Sequence, residues 1–156
     1  MRKRIYFSPL LTEAHLPSQT NDKAAKSPRT IFLAEDDVDD QEFLKEAFLS
    51  IDPTIELVSF SSGLKFVNQL METEDQHLPC LIILDYNIPE MNGADILGHL
   101  NQYPRFAALP KVVWSTSDSH LYRQTCLTCG ASAYMVKPSS IGGIAETAKQ
   151  MLRFCE

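Results

Sequence analysis

The most constraining stretch is Leu81-Ile82-Ile83-Leu84-Asp85, followed directly by Tyr86-Asn87-Ile88-Pro89-Glu90-Met91-Asn92-Gly93. Four large aliphatic residues in a row show no in–out alternation, so this strand is covered on both faces, as in a parallel sheet. Asn87, Pro89 and Asn92-Gly93 are turn residues that stop the strand at once. Asp85 is thereby expected at the carboxyl end of a buried strand, where open α/β sheets place their ligands.

The segments around it share this organisation. Ile31-Phe32-Leu33-Ala34 runs into Glu35-Asp36-Asp37. A helix follows from about Asp39 to Ile51, with Phe43, Leu44, Ala47, Phe48 and Ile51 on its apolar stripe. Residues 55–60 read as a second strand, whose alternation implies a less buried place. Ser61-Ser62-Gly63 opens a helix carrying Leu64, Val67, Leu70 and Met71. After Gly93 a helix is expected to about Tyr103, with Ile96, Leu97 and Leu100 inward. Lys111-Val112-Val113-Trp114 is a fourth strand ending in Ser115-Thr116-Ser117. A helix over about 119–129 stops at Gly130, a suitable C-cap glycine. Ala133-Tyr134-Met135-Val136 is a fifth strand ending in Lys137-Pro138, and a helix from about Ile141 to Phe154 closes the order. Five strands alternating with five helices predict an α/β fold, a doubly wound five-stranded parallel sheet of flavodoxin-like (βα)5 type. Residues 1–28 are rich in Ser, Pro and polar side chains and read as a flexible N-terminal extension; residues 29–156 read as one domain.

In a parallel sheet the carboxyl ends of all strands lie on one edge. Glu35 and Asp36, Asp85, Ser115 and Lys137 therefore converge. Taken singly, each has an ordinary explanation: a solvated acidic loop, a turn aspartate, a strand-end hydroxyl, a surface lysine. Four different strand ends supplying complementary chemistry are not explained that way. Like charges about 4 Å apart repel by roughly 4 kcal/mol at an effective dielectric of 20, so such an acid cluster calls for a proton or a cation. Hard carboxylate oxygens with room for water suit Mg2+, or Mn2+. Lys137 adds positive charge for an anion and Ser115 adds a donor. The chemistry that fits is phosphoryl transfer onto the Asp85 carboxylate.

These residues resemble the receiver (CheY-like) domain of two-component response regulators, over about residues 30–154. Glu35-Asp36-Asp37 resembles the first-strand acidic motif. Residues 85–93 resemble the D-x-x-M-P-x-M-x-G loop, with Ile88 in place of the first methionine. Ser115 resembles the fourth-strand hydroxyl, and residues 130–138 resemble G-A-x-x-Y-x-x-K-P. The resemblance implies Asp85 as phosphoacceptor and Mg2+ held by Glu35, Asp36, Asp85 and the carbonyl of Asn87. It implies Ser115 and Lys137 as partners of the phosphoryl group and Tyr134 as the aromatic that follows Ser115. Lys137–Pro138 is then expected to be cis. Asn87 and Ser117 match the variable positions that tune dephosphorylation. The implied partners are a sensor histidine kinase or histidine phosphotransfer protein and a downstream protein, with a homodimer also in view. The chain ends soon after the last helix, which resembles a stand-alone receiver. The 36–40 acidic run and Lys137-Pro138-Ser139-Ser140 resemble single-domain regulators of Bacteroidetes and phytochrome-linked types.

Two competing readings have their own signatures. A phosphorylation-independent interaction module on the same fold would not need the full acid, hydroxyl and lysine set. A phosphatase of the haloacid type expects D-x-D on the first strand, and Glu35-Asp36-Asp37 lacks that spacing. The net charge of −6 argues against a nucleic-acid partner. No apolar run approaches the roughly 20 residues of a membrane helix, and a cytoplasmic place is expected. Cys126 and Cys129 match C-x-x-C, but without a second such pair the reading is two small apolar residues on one helix face. His15, His77, His99 and His120 are isolated and read as surface residues.

Overall fold

The computed structural model describes residues 28–155. The extension expected over residues 1–28 falls almost wholly outside the described residues. From there five strands and five helices alternate: β1 (Thr30–Ala34), α1 (Val38–Ile51), β2 (Glu56–Phe60), α2 (Gly63–Glu72), β3 (Leu81–Leu84), α3 (Gly93–Leu100), β4 (Lys111–Ser115), α4 (His120–Thr128), β5 (Ala133–Val136) and α5 (Ile141–Leu152). All strand pairs are parallel, in the order β2-β1-β3-β4-β5. The three central strands are the most apolar; β2 sits at one edge and is half exposed, as its alternation requires.

The sheet separates two cores. On one face Ile31, Leu33, Ile83, Val112 and Trp114 pack against Leu44, Ala47 and Phe48 of α1 and Ile144, Ala148, Met151 and Leu152 of α5. On the other, Phe32, Ala34, Ile82, Leu84, Val113 and Tyr134 pack against Phe66, Val67 and Leu70 of α2, Ile96, Leu97 and Leu100 of α3, and Cys126 of α4. Side chains of one strand alternate between the two cores because successive Cβ atoms point to opposite faces.

Side-chain caps start the helices. Asp37 accepts from the N–H groups of Asp39 and Asp40, and Ser62, Asn92, Ser119 and Ser140 cap α2 to α5 in the same way. Some expectations need correction. Phe43 and Ile51 are 40% and 39% exposed and Leu64 is 47% exposed, so the buried stripes of α1 and α2 are narrower; Phe66 supplies the deep contact instead. The third helix stops at Leu100, and Pro104–Phe106 forms a separate 3-10 turn. There Arg105 donates to the carbonyls of Met71 and Thr73 and to Asp75, tying the turn to the end of α2.

Lys111 is 3% exposed although it opens a strand. Its Nζ donates to the carbonyls of Phe106 (2.6 Å) and Leu109 (2.8 Å), closing the backbone that the short turn leaves open. Cys80, just before β3, is disulfide-bonded to Cys155, which lies 75 residues on in the turn after α5. No spacing rule linked them. Cys126 and Cys129 are free thiols; burial pushes the Cys126 thiol up to about 11, which suits an apolar filler rather than a redox nucleophile.

Candidate functional site at the carboxyl edge of the sheet

β1 and β3 are neighbours in register, with Ala34 opposite Leu84. The residues that follow each strand, Glu35 and Asp85, therefore emerge side by side, and the Asp85 N–H donates to the Ala34 carbonyl at 2.9 Å. One carboxylate oxygen from each of Glu35, Asp36 and Asp85 falls within 4.8 Å of the others. Glu35 is fully buried and Asp85 nearly so, while Asp36 faces solvent. Burial pushes the Glu35 carboxyl up to about 7, against the pull of Lys137 and the Asp37 N–H; the nearby Asp85 charge adds to the rise. Asp85 is raised for the same first reason, desolvation, with Lys137 and the Asn87 N–H opposing. Two carboxylates costly to ionise, beside a third open to water, form a hard oxygen donor set that a small divalent cation fits.

Lys137 follows β5 and reaches across β4 and β3 to this cluster. Its Nζ stands 2.5 Å from Glu35 Oε2, 2.9 Å from Asp40 Oδ2 and 3.3 Å from Asp85 Oδ2. Burial disfavours the ammonium, but hydrogen bonds to Glu35 and Asp40 and the charges of Asp85 and Glu35 outweigh it and hold its pKa above the ordinary lysine value. The same Nζ lies 4.9 Å from the Trp114 ring centroid, a cation–π contact that closes the floor of the site.

Ser115, the last residue of β4, is fully buried, and its Oγ accepts from the Ser117 N–H at 3.2 Å. Tyr134 is 5% exposed, with its ring turned into the core below α4 and its hydroxyl donating to the Ser117 carbonyl at 2.7 Å. Ser117 thus connects Ser115 and Tyr134. Asn87 is exposed, and its N–H lies 3.4 Å from Asp85 Oδ1. Glu35, Asp36, Asp85, Asn87, Ser115, Ser117 and Lys137 follow or end their strands at this edge, while Tyr134 lies within β5, opposite Val113, and reaches the edge through the Ser117 carbonyl. One expectation fails: the Lys137–Pro138 peptide is trans, since there is no cis bond among the described residues. A trans X–Pro bond is the lower-energy isomer, and Lys137 meets the acids without the alternative.

Sequence reasoning passed over Asp40, Gln41 and Trp114. Asp40 lay in an acidic run that reads as a helix N-terminal charge cluster. Gln41 donates Nε2 to the Glu35 carbonyl at 2.5 Å, and the Asp37 N–H donates to Glu35 Oε1 at 3.0 Å, so the turn before α1 braces Glu35 from both ends.

A parallel sheet of this strand order, with an acid triad, a hydroxyl and a lysine at its carboxyl edge, defines a receiver-type signalling domain. The family model "Response regulator receiver domain" matches residues 31–149, and the chain belongs to that family. Its members are signalling modules of two-component systems that bind divalent metal. Among curated proteins, the response regulator Rcp1 of Synechocystis sp. is 33% identical over 95 residues, covering 59% of this chain and 65% of Rcp1. The chain spans less than two thirds of the first curated relatives it matches, the next being the two-component response regulator ORR12 of Oryza sativa at 60% of its length. Among solved structures, the phosphorylated cyanobacterial phytochrome response regulator RcpA superposes with a TM-score of 0.74 at 25% identity, covering 81% of this chain and 92% of RcpA.

Proposed function

We propose that this receiver domain accepts a phosphoryl group on Asp85 from a sensor histidine kinase or a histidine phosphotransfer protein, in a Mg2+-dependent reaction. The observation that carries this is the meeting of Glu35, Asp36 and Asp85 oxygens within 4.8 Å, with the Lys137 ammonium against two of those three acids.

In this reading Glu35, Asp36, Asp85 and the Asn87 carbonyl hold Mg2+ or Mn2+. The bound ion supplies charge neutralisation for the phosphoryl oxygens. The Asp85 carboxylate attacks phosphorus, the bond to the donor nitrogen breaks, and an acyl phosphate forms on Asp85. Lys137 and the Ser115 hydroxyl donate hydrogen bonds to the transferred group. That group adds about −1.5 to −2 charge and three acceptor oxygens. Ser115 is drawn to it, the Ser117 segment follows, and Tyr134, already bonded to the Ser117 carbonyl, keeps the inward place. The face formed by α4, β5 and α5 then presents a different surface to a downstream protein or to a second copy of the chain. Asn87, whose N–H faces the Asp85 carboxylate, and Ser117, two residues beyond Ser115, tune how water reaches the acyl phosphate. No described helix is long and apolar enough to cross a membrane; we place the domain in the cytoplasm, where histidine kinases present their phosphoryl groups.

The test is acetyl phosphate with Mg2+, read by intact mass, with Trp114 emission as a second probe because that ring touches Lys137. One phosphoryl adduct is expected in the wild type and none in Asp85→Asn or in the presence of a chelator. An adduct that persists in Asp85→Asn would remove Asp85 from its role.

A further inference from the structure

We propose that Asp40 is the releasable holder of Lys137: it competes with a phosphoryl group on Asp85 for the ammonium and so lowers the affinity of the site for that group. The inference rests on the phosphoacceptor reading above and adds a residue to it.

An ammonium has three N–H donors and accepts nothing. In Lys137 all three face carboxylates, those of Glu35, Asp40 and Asp85. A phosphoryl oxygen can take the ammonium fully only if one of these partners lets go. The three differ in what release costs them. Glu35 is fully enclosed, so no water can take the place of the donor it would lose. Asp85 is the modified group itself, so its partnership passes to the phosphoryl oxygens it carries.

Asp40 is 27% exposed and sits in the first turn of α1, where the helix dipole favours a carboxylate and water can replace the lost donor. Its bond is therefore the one given up at least cost. Asp40 also stands outside the triad whose oxygens converge within 4.8 Å, so its charge can be removed with that triad left whole.

By linkage, a contact made in the unmodified site and lost in the modified one weakens phosphoryl binding by its own worth. For a partly exposed charge pair that amounts to about twofold to fivefold in affinity. The effect should follow charge rather than shape: Asp40→Asn removes it and Asp40→Glu keeps it.

The experiment titrates beryllofluoride, a phosphoryl mimic, into the full chain at saturating Mg2+, followed by fluorine NMR. Asp40→Asn is expected to bind about twofold to fivefold more tightly than wild type, and Asp40→Glu to stay at the wild-type value. Equal or weaker binding by Asp40→Asn overturns the proposal. Weaker binding by both variants, with lowered melting temperatures, would instead make Asp40 a purely structural contact and also overturn it. A wild type that binds no beryllofluoride removes the phosphoacceptor reading itself, a result visible before any variant is made.

Discussion

Tyr86, the residue after Asp85, lies face to face on Tyr122 of α4, with ring centroids 4.2 Å apart and planes 10° apart. The next residue of that helix, Arg123, donates Nη1 to the Tyr134 carbonyl at 3.1 Å and stands 5.0 Å from the Tyr134 ring. The helix is thus fastened to the loop after β3 by one side chain and to β5 by its neighbour. Of its own residues only Cys126 is fully buried, so these contacts matter for its position. Stacked pairs contribute about 0.5–1.5 kcal/mol beyond area burial. Tyr122→Ala should therefore speed amide exchange in α4 while β1 and β3 stay protected. A double-mutant cycle with Tyr86→Ala should give a coupling of about 1 kcal/mol. Exchange that rises equally in all elements would show that the pair supports the whole fold rather than the helix.

Stability should fall as pH rises through the range set by Glu35. Its pKa stands near 7 in the folded chain and 4.5 when unfolded. The native state then binds more protons than the unfolded state between those values, and the slope of stability against pH is negative there. In a chelator the melting temperature should decline from about pH 4.5 to about pH 7. Added Mg2+ should raise it more at pH 7.5 than at pH 5, because the proton and the ion compete for the same oxygens. Calorimetry across that range, with and without the ion, checks both signs.

Gly63 is expected to resist substitution. Its N–H donates to the Pro89 carbonyl at 3.0 Å, and a Cβ built there would meet the Met91 carbonyl oxygen at 2.2 Å. Alanine would favour the helix by about 1 kcal/mol. The contact is with backbone, which cannot swing aside, so overpacking should dominate and Gly63→Ala should lose about 1–3 kcal/mol in urea unfolding. The displaced loop also carries Asp85, so the rate of acetyl phosphate uptake should drop with it. A stabilised variant would show that the loop yields easily.

The Cys80–Cys155 bond ties the start of β3 to the turn after α5, with Cα atoms 4.9 Å apart. Closing a loop of this length in the unfolded chain is worth about 4–5 kcal/mol in the chain-entropy account, and native disulfides typically deliver about 2–4 kcal/mol. Wild-type protein should melt lower in dithiothreitol, and Cys155→Ser should melt low in either buffer, with the same Mg2+ response. A wild type indifferent to the reductant would mean that the two thiols are not joined in solution.

Most of the fold was legible because it rests on local patterns. Unbroken aliphatic runs marked the central strands, the alternation in residues 55–60 marked a less buried strand, and Ser61-Ser62-Gly63 and Asn92-Gly93 marked the turns into two helices. The acid triad and Lys137 were legible at one remove, since parallel strands bring their carboxyl ends to one edge whatever the side chains do. Phe43, Ile51 and Leu64 were misplaced because an apolar residue at helical spacing can border a stripe without entering it; how far a helix is rotated depends on what it packs against. The cis form expected of Lys137–Pro138 was misjudged because both isomers fit the same sequence.

By itself the sequence determined the order of elements, the sheet edge that gathers Glu35, Asp36, Asp85, Ser115 and Lys137, and the kind of chemistry those groups can perform, because each of these follows from neighbours within a few residues plus one topological rule. Only the tertiary structure decided that Asp40 shares Lys137 with Glu35 and Asp85, that Tyr86 rests on Tyr122, that Lys111 closes a turn from inside and that Cys80 meets Cys155. Apart from Lys111, whose partners lie 5 and 2 residues away, these are relations of distance between segments far apart along the chain. Packing sets them, and no local pattern encodes how two such segments will meet.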